Sequence, residues 1–239
     1  STLLLSSGCG RHWPDARGIF HNDAENFFVW VNEEDHMRIV SMEKGDNISR
    51  IMNRFADACN GVAEVLKANG GDFMHSDHLG FILTCPSNCG TGLRAGAMVK
   101  VPLVSARPDF KETLAKMGLQ ARGTAGVDSA SSGGTWDISN ADRLGKSEVN
   151  LVNIMIEGVA HVIRCEQAME RGENVDEIWA RGFLTQYPGG LAKVVQNAPE
   201  WIRLGCGDYE YICEEKGATF PGAKCPDSLP DLTEHNNML

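Results

Sequence analysis

Positive charge is scarce in this chain. Twenty-two lysines and arginines face 32 aspartates and glutamates, for a formal net charge of −10 over 239 residues. That balance excludes broad, sequence-independent binding to nucleic acid or an anionic membrane and leaves room only for local basic pockets. Long apolar runs are absent as well. None approaches the roughly 20 residues a membrane-spanning helix needs, and Ser1-Thr2-Leu3-Leu4-Leu5 is too short, and lacks the basic leader, for a secretory signal. No Cys-x-x-Cys occurs. The eight cysteines are scattered, and Cys85-x-x-x-Cys89 has no matching Cys or His pair at zinc-finger spacing. A reduced, cytoplasmic set of thiols is therefore expected rather than disulfides or a zinc site. Neither a P-loop nor a dinucleotide fingerprint is found. Gly145-Lys146-Ser147 lacks the upstream glycine and reads as a helix start.

What is present is an apolar fraction of 42%, enough to bury a sizeable core in one large domain or two small ones. Phe27–Val31 and Met37–Met42 are aromatic and β-branched and predict two strands of a hairpin with the acidic tip Asn32-Glu33-Glu34-Asp35-His36. Ile48, Ile51, Met52, Phe55, Val62, Val65 and Leu66 recur at helical spacing until Gly70-Gly71. Further strands are expected at Leu79–Thr84, Ala97–Pro102 and Thr135–Ser139, and a short helix at Asp109–Met117. Residues 122–134 read as a flexible loop. Ser147 caps a long helix carrying Val149, Val152, Met155, Ile156, Val159 and Ile163. Short helical pieces follow at Val175–Phe183 and Leu191–Val195, then an irregular Cys/Pro/Gly-rich tail. The order predicts an α+β fold, an antiparallel sheet covered by helices.

Three stretches carry chemistry. At the hairpin tip, three consecutive carboxylates repel one another unless a cation offsets them. Strand alternation would put Glu34, His36 and Arg38 on one side, although the tip by itself reads more simply as a solvated acidic turn. Cys85-Pro86-Ser87-Asn88 places a thiol at a strand end, where Ser87 can favour the thiolate; a small buried thiol is the equal reading. Gly90-Thr91-Gly92-Leu93-Arg94 and Arg122-Gly123-Thr124-Ala125-Gly126 each join an arginine to exposed backbone amides, a combination suited to phosphate. With Arg38 and Arg143 they make four guanidinium groups in an acidic chain.

Phe28-Val29-Trp30-Val31-Asn32-Glu33-Glu34-Asp35-His36, Leu83-Thr84-Cys85-Pro86-Ser87-Asn88, Arg122-Gly123-Thr124 and Ile138-Ser139-Asn140-Ala141-Asp142-Arg143-Leu144-Gly145 closely resemble the phosphagen (guanidino) kinases. The likeness runs from Ser1 to about Asp176. The Cys-Pro-Ser-Asn form, Gly126-Val127-Asp128 and His12-Trp13-Pro14-Asp15-Ala16-Arg17-Gly18 are similar to the creatine kinases within that family rather than to the arginine kinases. The resemblance implies reversible transfer of the ATP γ-phosphoryl to creatine with Mg²⁺, on a guanidino-kinase catalytic domain incomplete at its N-terminus. It implies that Arg38, Arg94 and Arg122 grip the nucleotide phosphates, that Asp137 lies beside the nucleotide, and that Gly123, Thr124, Ala125, Gly126 and Val127 belong to a loop closing over it. Glu34 would take the guanidinium proton. Cys85, supported by Ser87, would hold the guanidinium's other side, with Val127 at the substrate. Glu33 and Asp35 would reach Mg²⁺ through water.

Departures from the family pattern are Met98, where a histidine normally contacts the nucleotide, and Ala125, where the loop normally has glycine. By the same resemblance the N-terminal helical domain and further phosphate-binding residues are missing, so the chain alone is expected not to turn over. Pro230-Asp231-Leu232-Thr233-Glu234-His235-Asn236-Asn237 resembles the opening of a creatine kinase. This predicts three parts: catalytic domain at 1–176, connector at 177–229, and the start of a following repeat at 230–239. A tandem arrangement would fit a flagellar or ciliary axoneme, with microtubule proteins as partners. A non-catalytic docking segment in such an assembly and an arginine kinase are the alternative readings.

Overall fold

In a computed structural model, residue 5, residues 7–123 and residues 133–182 are described. The expectations for Thr124 to Val127, for Leu191–Val195, for most of the 177–229 connector and for the 230–239 repeat start lie outside those residues. The chain divides into two compact units, one reaching Pro86 and the other starting at Ser87.

The first unit is built on an antiparallel meander, β1 (Gly18–His21), β2 (Phe27–Val31) and β3 (Met37–Ser41). The hairpin expectation holds, with Val31 opposite Met37 at its tip end. β1 carries only four residues and was too short to announce itself by alternation. Helix α1 (Ile48–Ala68) starts where Asn47 accepts from the Arg50 amide at 3.0 Å and buries Met52, Ala56, Cys59 and Ala63, one every turn. Val65 falls off that stripe and is 63% exposed, unlike its expected place on the apolar face. Ser41 Oγ donates to the Ile51 carbonyl at 3.0 Å, so α1 covers the face of the meander that carries Ser41, Ile39 and Val29. The opposite face carries Trp30 and Arg38.

The strand expected at Leu79–Thr84 shrinks to β5 (Gly80–Phe81), paired with β4 (His75–Ser76). The reason is local: Phe81 packs edge-on against Phe73 and His75, Gly80 turns the chain at φ +70°, and the Thr84 amide bonds a side chain instead of a strand. The expected single sheet is thus three separate antiparallel sheets among the described residues.

The second unit holds β6 (Gly96–Lys100), β7 (Leu119–Arg122) and β8 (Thr135–Asn140) in the order β6-β8-β7. The reading of Arg122 as the start of a loop is corrected, since it ends a strand. Leu-Gln-Ala-Arg has no β-branched residue and gave no strand signal. Inward positions Leu119, Trp136, Ile138 and Asn140 alternate with an outward row. Pro102 stops β6 and opens the short helix α2 (Pro102–Ser105), whose Leu103 and Val104 amides bond the buried Glu166 carboxylate at 2.9 and 2.7 Å. Gly134, at φ +75°, accepts from the Val101 amide at 2.8 Å through its carbonyl; a Cβ there would sit 2.5 Å from Pro102 Cα, so only glycine fits. Helix α3 (Phe110–Lys116) matches the expected short helix. The long helix α4 (Glu148–Glu170) packs on the sheet behind its Ser147 cap, and α5 (Asp176–Arg181) closes the unit.

The core of this unit contains a histidine. His161 on α4 is fully buried, its ring stacked on Trp179 at 6.0 Å and its Nε2 3.7 Å from Cys165 Sγ. Burial, and secondly the charge of Arg164, lower its pKa to about 4. The unfolded chain therefore binds this proton more readily, so stability is complete above about pH 6.5 and declines as pH falls towards 4, by about 1.4 kcal/mol per unit. Buried Glu148 and Glu157 have raised pKa values and act with the opposite sign at mildly acid pH. We therefore expect His161→Gln to flatten the stability profile relative to the unaltered chain between pH 6.5 and 4.5. Urea melts across that range would show parallel profiles if the imidazole does not titrate on unfolding.

Candidate active site

One group of candidate residues, in the first unit, is the β2–β3 tip. Asn32 takes φ +55°, donates its amide to the His36 carbonyl at 2.9 Å and reaches the Ala16 carbonyl with its side chain at 2.7 Å. These bonds hold a tight tip. Glu33 and Asp35 point inward, 8% and 7% exposed, whereas Glu34, His36 and Arg38 are exposed. The alternation expected from the sequence is present, and the solvated acidic turn is corrected: two of three carboxylates are buried. Their mutual repulsion is offset by Arg38, whose Nη2 lies 2.9 Å from Glu33, 3.7 Å from Glu34 and 3.9 Å from Asp35.

Asp35 links this tip to the thiol. Its Oδ1 accepts from the Thr84 amide at 2.8 Å, which fixes the backbone immediately before Cys85. Cys85 is half-buried and unbridged, as are Cys9, Cys59, Cys89 and Cys165 in having no disulfide. Ser87 follows in the 3-10 turn Pro86–Asn88. Sequence reasoning names Glu34 and Cys85, and Asp35 only for the metal, but not the bond by which Asp35 connects their segments across 49 positions.

Carboxylate oxygens of Glu33, Glu34 and Asp35 lie within 4.8 Å of one another. They are hard donors of the kind Mg²⁺ takes. Glu33 Oε2 is buried with no hydrogen-bond partner, so one donor remains uncommitted, while one Asp35 oxygen is used by Thr84. The donor set fits a hydrated Mg²⁺.

A second group of candidate residues, in the second unit, lies on the outward face of β6-β8-β7. Met98, Asp137 and Arg122 are directly opposite one another across the three strands, and so share that face. Arg94, just before β6, reaches Asp137 Oδ2 at 2.6 Å. Gly96 makes room for this pair, because a Cβ there would be 3.1 Å from Asp137 Oδ1 and 3.0 Å from Ser139 Cβ. Met98 is 62% exposed in the same row. The structure thus brings together Arg94, Arg122, Asp137 and Met98, with Gly123 at the end of β7. Thr124, Ala125, Gly126 and Val127 are outside the described residues. Arg143 bonds the Ala141 carbonyl at 2.7 Å through Nη1.

Sequence reasoning missed Gly96 and the buried Asn140. Asn140 had a signal: it continues the inward alternation Trp136, Ile138, where a polar residue needs partners.

A family model described as ATP:guanido phosphotransferase, C-terminal catalytic domain, matches residues 1–169. The testis isozyme of creatine kinase from Oncorhynchus mykiss is 52% identical over 178 residues, covering 74% of this chain and 46% of that protein. Among solved structures, lombricine kinase is similar at a TM-score of 0.67 and 44% identity, covering 74% of this chain and 49% of that one. The duplicated taurocyamine kinase from Schistosoma mansoni with bound transition state analog components follows at a TM-score of 0.62 and 42% identity, covering 72% and 23%. The chain spans about half the length of the curated relatives it matches.

Proposed function

The chain belongs to the ATP:guanido phosphotransferase family, and from that premise we propose that it is the catalytic-domain portion of a creatine kinase. The reaction breaks the bond from the γ-phosphorus to the bridging oxygen of ATP and forms a bond from phosphorus to a creatine guanidino nitrogen, which gives up its proton to Glu34. ADP leaves. The observation that carries this reading is the 2.8 Å bond from the Thr84 amide to Asp35, which ties the segment bearing Cys85 to the tip bearing Glu34. A carboxylate suits a guanidinium because the planar group presents paired parallel donors. A thiolate at Cys85, favoured by Ser87, would balance the remaining charge, with Val127 against the substrate.

At the nucleotide end, Arg38, Arg94 and Arg122 neutralise phosphate charge, Asp137 lies beside the nucleotide, and Gly123 to Val127 form the covering loop. In-line phosphoryl transfer relies chiefly on such positioning and charge neutralisation. Glu33 and Asp35 would hold Mg²⁺ through water, and that ion supplies charge compensation for the phosphates. Arg94 and Arg38 are each paired with carboxylates, at 2.6 and 2.9 Å, so both are pre-oriented yet partly exposed.

The proposal extends to a longer polypeptide of several kinase repeats, with the catalytic domain at 1–176, a connector at 177–229 and a new repeat opening at 230. The likeness to a duplicated kinase supports it. A cytoplasmic setting in a flagellar or ciliary axoneme is the matching location. The test is phosphoryl transfer by the full-length polypeptide with ATP and creatine, arginine, lombricine or taurocyamine, followed by ³¹P NMR. Creatine is expected to exceed the others by at least about tenfold in kcat/KM, the scale of one well-made substrate contact, and the 239-residue chain alone to show no turnover. Preference for arginine would make it an arginine kinase. No transfer to any acceptor, with retained binding to microtubule doublets, would make it a docking segment.

A further inference from the structure

We infer that Asn140 is a positioning residue that sets the two arginine-bearing loops of the second unit, and so the grip on the nucleotide; this rests on the proposed reading of Arg94. Asn140 is fully buried at the end of β8. Its Oδ1 accepts from the Ala95 amide at 2.7 Å, and its Nδ2 donates to the Leu93 carbonyl at 3.1 Å and the Asp142 carbonyl at 2.7 Å. The orientation of the carboxamide is fixed by this set, since a flip would face donor to donor and acceptor to acceptor at all three contacts. Its backbone adds a bond from the Asn140 amide to the Ala95 carbonyl at 3.2 Å, and its carbonyl accepts from Gln120 Nε2 at 3.1 Å.

The placement of these bonds gives them consequence. Leu93 and Ala95 are the two neighbours of Arg94, and both are buried, so the carboxamide holds the chain on either side of the arginine while the guanidinium reaches outward to Asp137. Asp142 is the residue before Arg143. The Arg143 carbonyl in turn accepts from the Thr91 amide at 2.9 Å, and a Cβ on Gly90 would lie 2.3 Å from that oxygen. One buried side chain thus sets the backbone around Arg94 and, through Asp142, the approach to Arg143. Because phosphoryl transfer depends on alignment, a displacement of about 1 Å at such a loop is enough to cost roughly a hundredfold in rate.

The full-length polypeptide, titrated with MgADP by calorimetry, provides the test, the affinity read being that of the repeat carrying the substitution. Asn140→Ala is expected to weaken ADP binding about tenfold while the far-ultraviolet circular dichroism stays native. On an Arg94→Ala, Arg143→Ala background the same change should weaken binding further by less than about twofold, because the side chains it positions are gone. Should Asn140→Ala not fold, Asn140→Asp keeps the volume and the acceptor, loses both donors, and carries the same expectation. Unchanged ADP affinity in a folded variant overturns the inference, as do equal losses on both backgrounds. Failure of both variants to fold also overturns it, by assigning the network to folding alone. If the unaltered chain binds no ADP, the nucleotide reading fails together with the inference, a result distinct from binding that ignores Asn140.

Discussion

On the proposed creatine kinase reading, Glu34→Gln in the full-length polypeptide, with the matching carboxylate of any further repeat also replaced, should lower the rate of phosphocreatine formation by about 10³-fold and change MgADP affinity by less than about threefold, the scale expected when a proton acceptor is removed from the transition state. Three features make the effect specific to Glu34. It is exposed, whereas Glu33 and Asp35 on either side are buried. It lies 3.7 Å from Arg38, so a glutamine keeps the tip's shape while removing one negative charge from beside the guanidinium. It also sits one residue from Asp35, which fixes the backbone before Cys85. A steady-state assay decides it: a loss below about tenfold would move the proton acceptor elsewhere. Cys85→Ser should cost less, since a hydroxyl still fills the position.

The second large effect is on stability. Trp179 is the largest fully buried side chain among the described residues, 0% exposed. Its ring stacks on Phe110 at 6.1 Å and 8°, and on His161 at 6.0 Å and 12°, with the Arg107 guanidinium 6.0 Å from its centroid. A six-residue helix such as α5 has little stability of its own and is held by this anchor and by Val175. Trp179→Ala should therefore destabilise the chain by about 3–5 kcal/mol, the range for removing a core aromatic. In urea melts, a loss under about 1 kcal/mol would mean that α5 is not docked in solution.

How much of this was legible depends on how far apart the partners lie. The β2–β3 hairpin and α1 could be read because their signals are local: β-branched and aromatic runs either side of a turn, and apolar residues at turn spacing closed by Gly70-Gly71. The Ser147 cap was legible for the same reason. The burial of Glu33 and Asp35 was not, although Arg38 is only a few residues away, because adjacent acids ordinarily point to water. Their real partners include an amide at position 84, which no local window contains. The run Phe81-Ile82-Leu83 looked like a longer strand, yet only Gly80 and Phe81 find a ladder partner. Arg94 and Asp137 were both named, each for the nucleotide. That they pair with each other, 43 positions apart, follows from the β6-β8 register, which a sequence does not display. The same register puts the exposed Met98 beside Asp137, in the row that carries Arg122.

On the proposed reading these residues recognise a phosphoryl group in flight between ADP and a guanidine. Nitrate is planar and trigonal like that group, and a site built for transfer binds such a mimic more tightly than it binds ground-state ligands. The decisive measurement is therefore the MgADP dissociation constant of the full-length polypeptide, taken with and without creatine plus nitrate. Adding both is expected to tighten ADP binding by at least about tenfold, and Glu34→Gln to abolish the gain at the repeat that carries it. An ADP affinity indifferent to creatine and nitrate in the unaltered protein would contradict the proposed reading.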